Sequence, residues 1–488
     1  MLLPLQLPPG VYRQGTEYQS AGRWRDANLI RWREGTFGPV GGWTERAEIT
    51  DIPLRGAVAW RDNSGDRWIA AGAYDELWVL SAANAASDIT PAGLTSGLED
   101  AGYNTGYGGG LYGAGTYGTP RPESGALTEA TTWALDTWGE DLVACSTADG
   151  KLYQWELNVA NPAAVITNAP TGCLSLVVTD ERFLFALGAG SNRRLVQWSD
   201  REDNTEWTPA ATNESGSQEL QTGGTIMCGL RVRGQTLILT DQDAHAAQYI
   251  GPPFVYGFER VGMNCGVVAR HAAVSVDGNA YWMGRNGFFR YAGGTAEPVP
   301  CEVGDYIFGR LTASQRSKIF GVSNALHGEI WWFYPSTGEN DSYVVYNYRE
   351  NHWTIGDLAR TAGVDVGAFT NPVWFAPDGV AYDHENGFSY DGDMPHAESG
   401  PISLGNGDRV MVARELIPDE ATQGDVTATF RTRFYPNDTE RDYGPFTMGA
   451  PTSVRFTGRQ VRMRIDGAAT ADWRWGVPRL DVKEGGGR

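Results

Sequence analysis

The sequence is built on a strand-rich unit that ends in a large aromatic residue and recurs along most of its length. The unit closes at Leu77-Trp78-Val79, Leu152-Tyr153-Gln154-Trp155, Leu195-Val196-Gln197-Trp198, Gln248-Tyr249, Phe289-Arg290-Tyr291, Val345-Tyr346-Asn347-Tyr348 and Phe388-Ser389-Tyr390. With Trp78, Trp155, Trp198, Tyr249, Tyr291, Tyr346 and Tyr390 as markers, the gaps are 77, 43, 51, 42, 55 and 44 residues. All but the first fall near the ~40–50 residues of a four-stranded blade in a radial array. Six or seven such units use about 300–350 residues at that period, so a chain of 488 residues has room for further modules at its ends. The expected fold class is therefore all-β: a six- or seven-bladed β-propeller over 51–399, an N-terminal arm and hairpin over 1–50, and a C-terminal β-sandwich-like domain over 400–488. A ring of blades is mainly a scaffold, and function has to be sought in what decorates it.

Turn chemistry supports this reading. Asn63-Ser64-Gly65-Asp66, Ala148-Asp149-Gly150, Asp277-Gly278-Asn279, Arg285-Asn286-Gly287, Pro377-Asp378-Gly379 and Glu385-Asn386-Gly387 each separate two apolar runs, as hairpin turns do. Glycine, at 63 of 488 residues, is nearly twice its usual share of about 7%. One helix is expected within 305–319, with Asp305 as its cap and Ile307, Leu311 and Ile319 as its apolar stripe. Beyond residue 400 the strands lengthen. Val426, Ala428 and Phe430 alternate with threonines, and Val461, Met463 and Ile465 alternate with Arg462 and Arg464, the pattern of an antiparallel sheet with one buried face.

Two segments stand out as interface material. In the first, Arg23, Arg25, Arg31 and Arg33 alternate with Trp24 and Trp32, which reads as strand–turn–strand with one basic edge. It is either a partner-docking hairpin, with Trp24, Arg25, Trp32 and Arg33 as contact residues, or an edge strand guarded by charge. In the second, residues 102–118 read GYNTGYGGGLYGAGTYG, inside an insertion spanning roughly 95–125 that fills the long first gap. A flexible linker uses serine where this one has tyrosine. Tyr103, Tyr107, Tyr112 and Tyr117 are therefore candidate contacts for another subunit, or for a central opening; the alternative is a loop folded back on its own ring.

Composition excludes several functions. The net charge of −20 is the wrong sign for a protein that grips nucleic acid. Arginine outnumbers lysine 36 to 3, which suits protein interfaces and equally fits a coding bias. The five cysteines have no C-x-x-C spacing, so reduced, buried thiols are expected and neither a disulfide framework nor a zinc site. The six histidines form no metalloprotease pattern, and neither a nucleophile elbow nor a phosphate loop occurs. The pairs Asp203/Glu206 and Asp241/Asp243 could serve a glycosidase, Ser275–Asn279 is only loosely like a sialidase turn, and 240–243 could hold calcium. Turn aspartates bond their own backbone in any case. The expectation is no enzyme, no catalytic residue, no cofactor and no metal. The opening MLLPLQLPPG lacks the basic start of a signal peptide, and no 18-residue apolar run is present to cross a bilayer.

Four stretches, PPGVYRQGTEYQSAGRWRDANLIRWREG, GYGGGLYGAGTYGTPR, EIWWFYPSTGENDSYVVYNYRENHWTIG and GRQVRMRIDG…WRWGVPRLDV, resemble the tail nozzle, or tail tubular B (packaged-DNA-stabilising), proteins of short-tailed bacteriophages. The likeness runs from about residue 9 to 488. It implies a virion tail protein, assembled in the host cytoplasm as a homohexameric ring. The ring would meet an adaptor protein above and fibres, spikes or a needle around or below. Double-stranded DNA would be retained behind it and then pass through without specific binding. The rival expectations are a receptor- or glycan-binding propeller on the virion, with or without glycan processing, and a cellular propeller scaffold.

Overall fold

Seven four-stranded antiparallel sheets make up the greater part of the computed structural model. It describes all residues except 104–126, 191, 405–408, 423, 450, 468–469 and 486–488. Six sheets are simple meanders at 57–88, 133–165, 175–219, 226–263, 273–299 and 320–357. The seventh takes three strands from 362–384 and its outer strand, Trp43–Glu48, from the other end of the chain. The first strands of the sheets touch in sequence: Ala57–Arg61, Trp133–Trp138, Ser175–Val178, Ile226–Val232, Ala273–Val276, Phe320–Asn324 and Ala362–Val364, with the last returning to the first. A closed cycle of seven inner strands is a seven-bladed β-propeller, blades 1 to 7 in that order.

The blades are held by what lies between them. Each apolar cluster joins neighbouring sheets. Ile69 and Leu80 of blade 1 meet Val373 and Phe375 of blade 7, and Val177 and Phe185 of blade 3 meet Ile238 and Ala247 of blade 4. Indoles stitch the same seams. Trp133 of blade 2 donates from Nε1 to the Ala73 carbonyl beside blade 1 (2.6 Å), and Trp332 of blade 6 donates to the Ala272 carbonyl leading into blade 5 (2.9 Å). Gly72 lies against the face of Trp133, where any Cβ would run into the indole ring.

The markers of the repeat have a common structural meaning. Trp78, Trp155, Trp198, Tyr249, Tyr291 and Tyr346 all lie on the third strand of their blade. Tyr390 lies beyond the third strand of blade 7, Val380–His384, and packs edge-on against Trp43.

A second body sits on the ring. Its larger sheet orders Trp24–Asn28, His396–Ser399, Gln460–Gly467, Val426–Arg433 and Arg441–Thr447, with Ile402–Ser403 paired alongside. Its smaller sheet orders Leu2–Pro4, Arg479–Glu484, Met411–Ile417 and Thr452–Gly458. Val426, Ala428, Phe430, Val461, Met463 and Ile465 from the first face Met411, Ala413, Val454, Phe456 and Leu480 from the second, all buried. This is a β-sandwich, and it contains both Leu2–Pro4 and Arg479–Glu484.

Two expectations need correction. Residues 1–50 are not a separate arm: Leu2–Pro4 and Trp24–Asn28 belong to the sandwich, and Trp43–Glu48 belongs to blade 7. Hydrogen bonds to distant strands decided this, and no local pattern carries them. The expected helix over 305–319 is two short pieces, an α-helix at Gly304–Arg310 and a 3-10 turn at Ala313–Lys318; Val303, not Asp305, is the cap position, and Asp305 accepts instead from the Gly15 amide (3.0 Å).

The five thiols are free. Burial pushes Cys173, Cys228 and Cys301 up to about 12 and Cys265 up to about 11, and drives Cys145 well above its usual value. Thiolate is the reactive form. Native protein at pH 8 should therefore react slowly with a thiol reagent, and all five sites should label in denaturant. Rapid stoichiometric labelling of the native chain would contradict this burial.

Candidate functional site at the mouth of the propeller

In a ring of meanders, the connection from one blade's outer strand to the next blade's inner strand shares a face with the hairpin between strands two and three. Five such connections supply Thr131, Leu174, Thr225, Arg270 and Arg316; four such hairpins supply Thr147, Arg193, Asp241 and Arg285. Together they line a cavity of about 570 Å³ where the inner strands converge. Ser96, Gly97 and Leu98 border it on one side, and Leu127, Thr128 and Glu129 on the other. Those six flank the Gly/Tyr-rich insertion, and Gly102 and Tyr103 pair with Thr128 and Leu127. The flanks are pinned in place. Gln315 exchanges two hydrogen bonds of 2.9 Å with the Ala101 backbone, and Lys318 pairs with Asp100. The described flanks of the insertion thus lie at the rim of the central opening.

The cavity's charge is opposite to that of the whole chain. Four arginines against Glu129 and Asp241 leave its lining formally positive, in a protein of net charge −20. Arg270 donates to Glu129 Oε2 at 2.7 Å, with its side chain only 9% exposed, and its Nε has no hydrogen-bond partner among the described residues. Arg285 reaches Asp241 at 3.3 Å, and the other oxygen of Asp241 accepts from the Thr225 amide (2.8 Å). Next to Arg270, His271 is partly buried, with its Nε2 enclosed and without a hydrogen-bond partner among the described residues. Burial, and after it the charge of Arg270, pushes it down to about 4.

That imidazole gives the fold a signature in acid. An unfolded histidine takes up a proton near pH 6.5, whereas folded His271 refuses one until about pH 4. Between those values the unfolded chain binds the extra proton, so stability falls as pH falls, by up to about 1.4 kcal/mol per pH unit for one such group. His271→Gln should flatten the denaturation midpoint between pH 6.5 and pH 4 relative to wild type. Parallel profiles for the two proteins would contradict the assignment.

The residues singled out from sequence lie elsewhere. Trp24 (4% exposed) and Trp32 (1%) are buried against Phe37 within the chain's own core, at ring distances of 4.9 and 5.7 Å. This removes both tryptophans from any partner-facing role: the alternation was that of a strand pair, but its aromatic face is covered by blade 6 and the sandwich. Arg25 is half-buried and donates to Ser20 Oγ (3.2 Å); burial, then Arg13, lowers its pKa. Arg33 is exposed and lines a smaller cleft of about 330 Å³ on the opposite face of the ring, with His327 of blade 6 and Arg474 of the sandwich. Tyr103 is 62% exposed at the rim; Tyr107, Tyr112 and Tyr117 lie outside the described residues.

The carboxylate pairs are absorbed locally. Asp203 accepts from the Thr205 amide (2.9 Å) and hydroxyl (2.6 Å), and Glu206 from the Thr208 amide (2.9 Å). Asp243 is buried among Thr222, Thr240 and His245, while Asp241 faces the mouth. No group of three metal-ligating side chains suited to an ion occurs among the described residues. The four mouth arginines escaped the sequence reading because each lies in a different segment of the chain. Their shared signal is positional: Arg193 and Arg285 fall in the same hairpin of blades 3 and 5.

The sequence matches no family model and no curated protein. Among solved structures, the chain is similar to a virginiamycin B lyase from Staphylococcus aureus at 8% identity (TM-score 0.45, covering 69% of this chain and 96% of that one). It is also similar to YCF48 from Cyanidioschyzon merolae at 7% (TM-score 0.40, 70% and 99%) and to BamB from Moraxella catarrhalis at 13% (TM-score 0.30, 52% and 82%). At such identities the likeness concerns the fold alone.

Proposed function

We propose that this propeller is a virion structural protein: a subunit of the ring that forms a phage tail nozzle, extends the DNA channel, retains packaged DNA and passes it at ejection. One observation carries the reading. The ring and the sandwich share a chain start that weaves through both, and a buried ionic network holds the hairpin between its two parts to blades 6 and 7. A body without an intervening linker suits the wall of a tube under load. The acidity supports the same reading, because a wall that lets DNA slide should repel it. In this reading the chain is no enzyme and works by assembly. A sixfold ring needs two different faces that meet head to tail, and the exposed hairpin tip of blade 4, with Ile250 56% and Phe254 74% exposed, offers apolar contact material. The rival, a receptor- or glycan-binding propeller, draws support from the cavity in the mouth.

The test is electron microscopy and mass measurement of the purified chain, alone and with the tail adaptor of its virus. Hexameric rings are expected. A chain that stays monomeric with the adaptor present overturns the reading.

A further inference from the structure

We propose that the mouth of the propeller binds a small multivalent oxyanion, a phosphate- or carboxylate-bearing molecule, through Arg193, Arg270 and Arg316. The site is concave and of ligand size: about 570 Å³, within the range of roughly 300–1,000 Å³ of small-molecule pockets. Its cations come from one hairpin, of blade 3, and two blade connections, so they converge only because the ring closes. Arg193 and Arg316 have no ionic partner among the described residues. Arg270 is nine-tenths buried and spends one amine on Glu129. An oxyanion supplies acceptors to such converging guanidinium groups in the forked geometry they favour. Threonines 131, 147 and 225 add small polar surface around it. An anion drawn into one positive cavity on a strongly acidic protein also gains specificity, since the rest of the surface repels it.

Glu129 has the opposite role. It holds Arg270 in place of a ligand, so the two compete for one guanidinium. This gives the proposal a test of two signs. Titration calorimetry at low salt uses the full chain with inorganic triphosphate in one arm and citrate in the other, which separates phosphate from carboxylate preference. Saturable binding with one site per chain is expected in at least one arm. Arg193→Gln with Arg316→Gln should weaken it tenfold or more, and Glu129→Gln should tighten it severalfold. Arg409→Gln, which removes an exposed pair with Glu484 of the sandwich, should leave it unchanged. The double variant removes partly exposed side chains, and circular dichroism checks that it is folded. No binding in either arm, or binding that the Arg193/Arg316 variant leaves intact, overturns the proposal.

Discussion

Replacing Arg31 with alanine should lower the unfolding free energy by about 3–5 kcal/mol, the range for removing one partner of a buried ion pair. Arg31 sits on the strand Ile30–Arg33, and its side chain is 1% exposed. It grips Glu329 of blade 6 through two bonds of 2.6 and 2.7 Å, and Glu385, just after the third strand of blade 7, through two of 2.6 and 3.0 Å. The carboxylates are held further by Trp331 Nε1 on Glu329 (3.1 Å) and by Asn324 Nδ2 and the Gly41 amide on Glu385 (2.8 and 3.1 Å). One guanidinium therefore joins two blades and the hairpin that runs from the sandwich strand Trp24–Asn28 to blade 7. Burial alone would lower the Arg31 pKa, but the two carboxylates raise it instead; burial would raise Glu385, but Arg31 and then His327 hold it well below its usual value.

Without Arg31, two carboxylates are left buried without that cation. A depressed Glu385 stabilises the fold above the unfolded carboxyl value near pH 4.3 and loses that contribution as pH falls through its folded value. The variant lacks the contribution throughout. The gap between wild type and Arg31→Ala should accordingly be widest near pH 7 and shrink on acidification, as followed by urea denaturation at several pH values. A loss below about 1 kcal/mol, the scale of an exposed pair, would show that the network is solvated and does not clamp the hairpin to the ring.

The blade repeat was legible because it is local. A four-stranded meander completes its hydrogen bonding among neighbours in sequence, so the third-strand aromatics at Trp78, Trp155, Trp198, Tyr249, Tyr291 and Tyr346 keep time with it. The sandwich strands were legible for the same reason: the alternations at 426–430 and 461–465 each mark one buried face. What remained hidden was every feature in which two distant segments meet. Blade 7 borrows Trp43–Glu48 across more than 300 residues, and a period counted along the chain cannot register a strand supplied from its other end. The Arg/Trp alternation correctly marked strands at 24–33, yet it could not tell which face would be covered. There Arg31 lies inside with Trp32, because two carboxylates from other blades await it. The mouth was hidden because a ring gathers residues at equal depth on different blades, and no spacing rule connects 193, 270 and 316.

Trp43→Ala should cost about 3–5 kcal/mol, the range for truncating a buried tryptophan, and should do so by loosening one seam. Trp43 begins the strand that completes blade 7, opposite His384, and is 4% exposed. Its ring packs against His384 and Tyr390 at 5.3 and 5.6 Å, lies 5.0 Å from the Arg360 guanidinium, and donates its indole N–H to Asp391. Arg360 is itself buried; burial pushes it down to about 10, and its Nη2 has no partner among the described residues. Its bonds go to His384 Nε2 (2.9 Å) and the Ala359 carbonyl (2.7 Å), so the Trp43 and Tyr382 faces provide much of what offsets its charge. Removing the indole therefore weakens the outer strand of blade 7 and exposes a strained cation at once. A ring closed by a borrowed strand has no covalent bond at that seam. Hydrogen exchange should accordingly accelerate first in Val380–His384 and in Ala362–Val364, while Ser175–Val178 and Gln235–Thr240 on the far side keep their protection. Uniform acceleration around all seven blades would mean that the ring unfolds as one unit and that the seam is no weaker than the others.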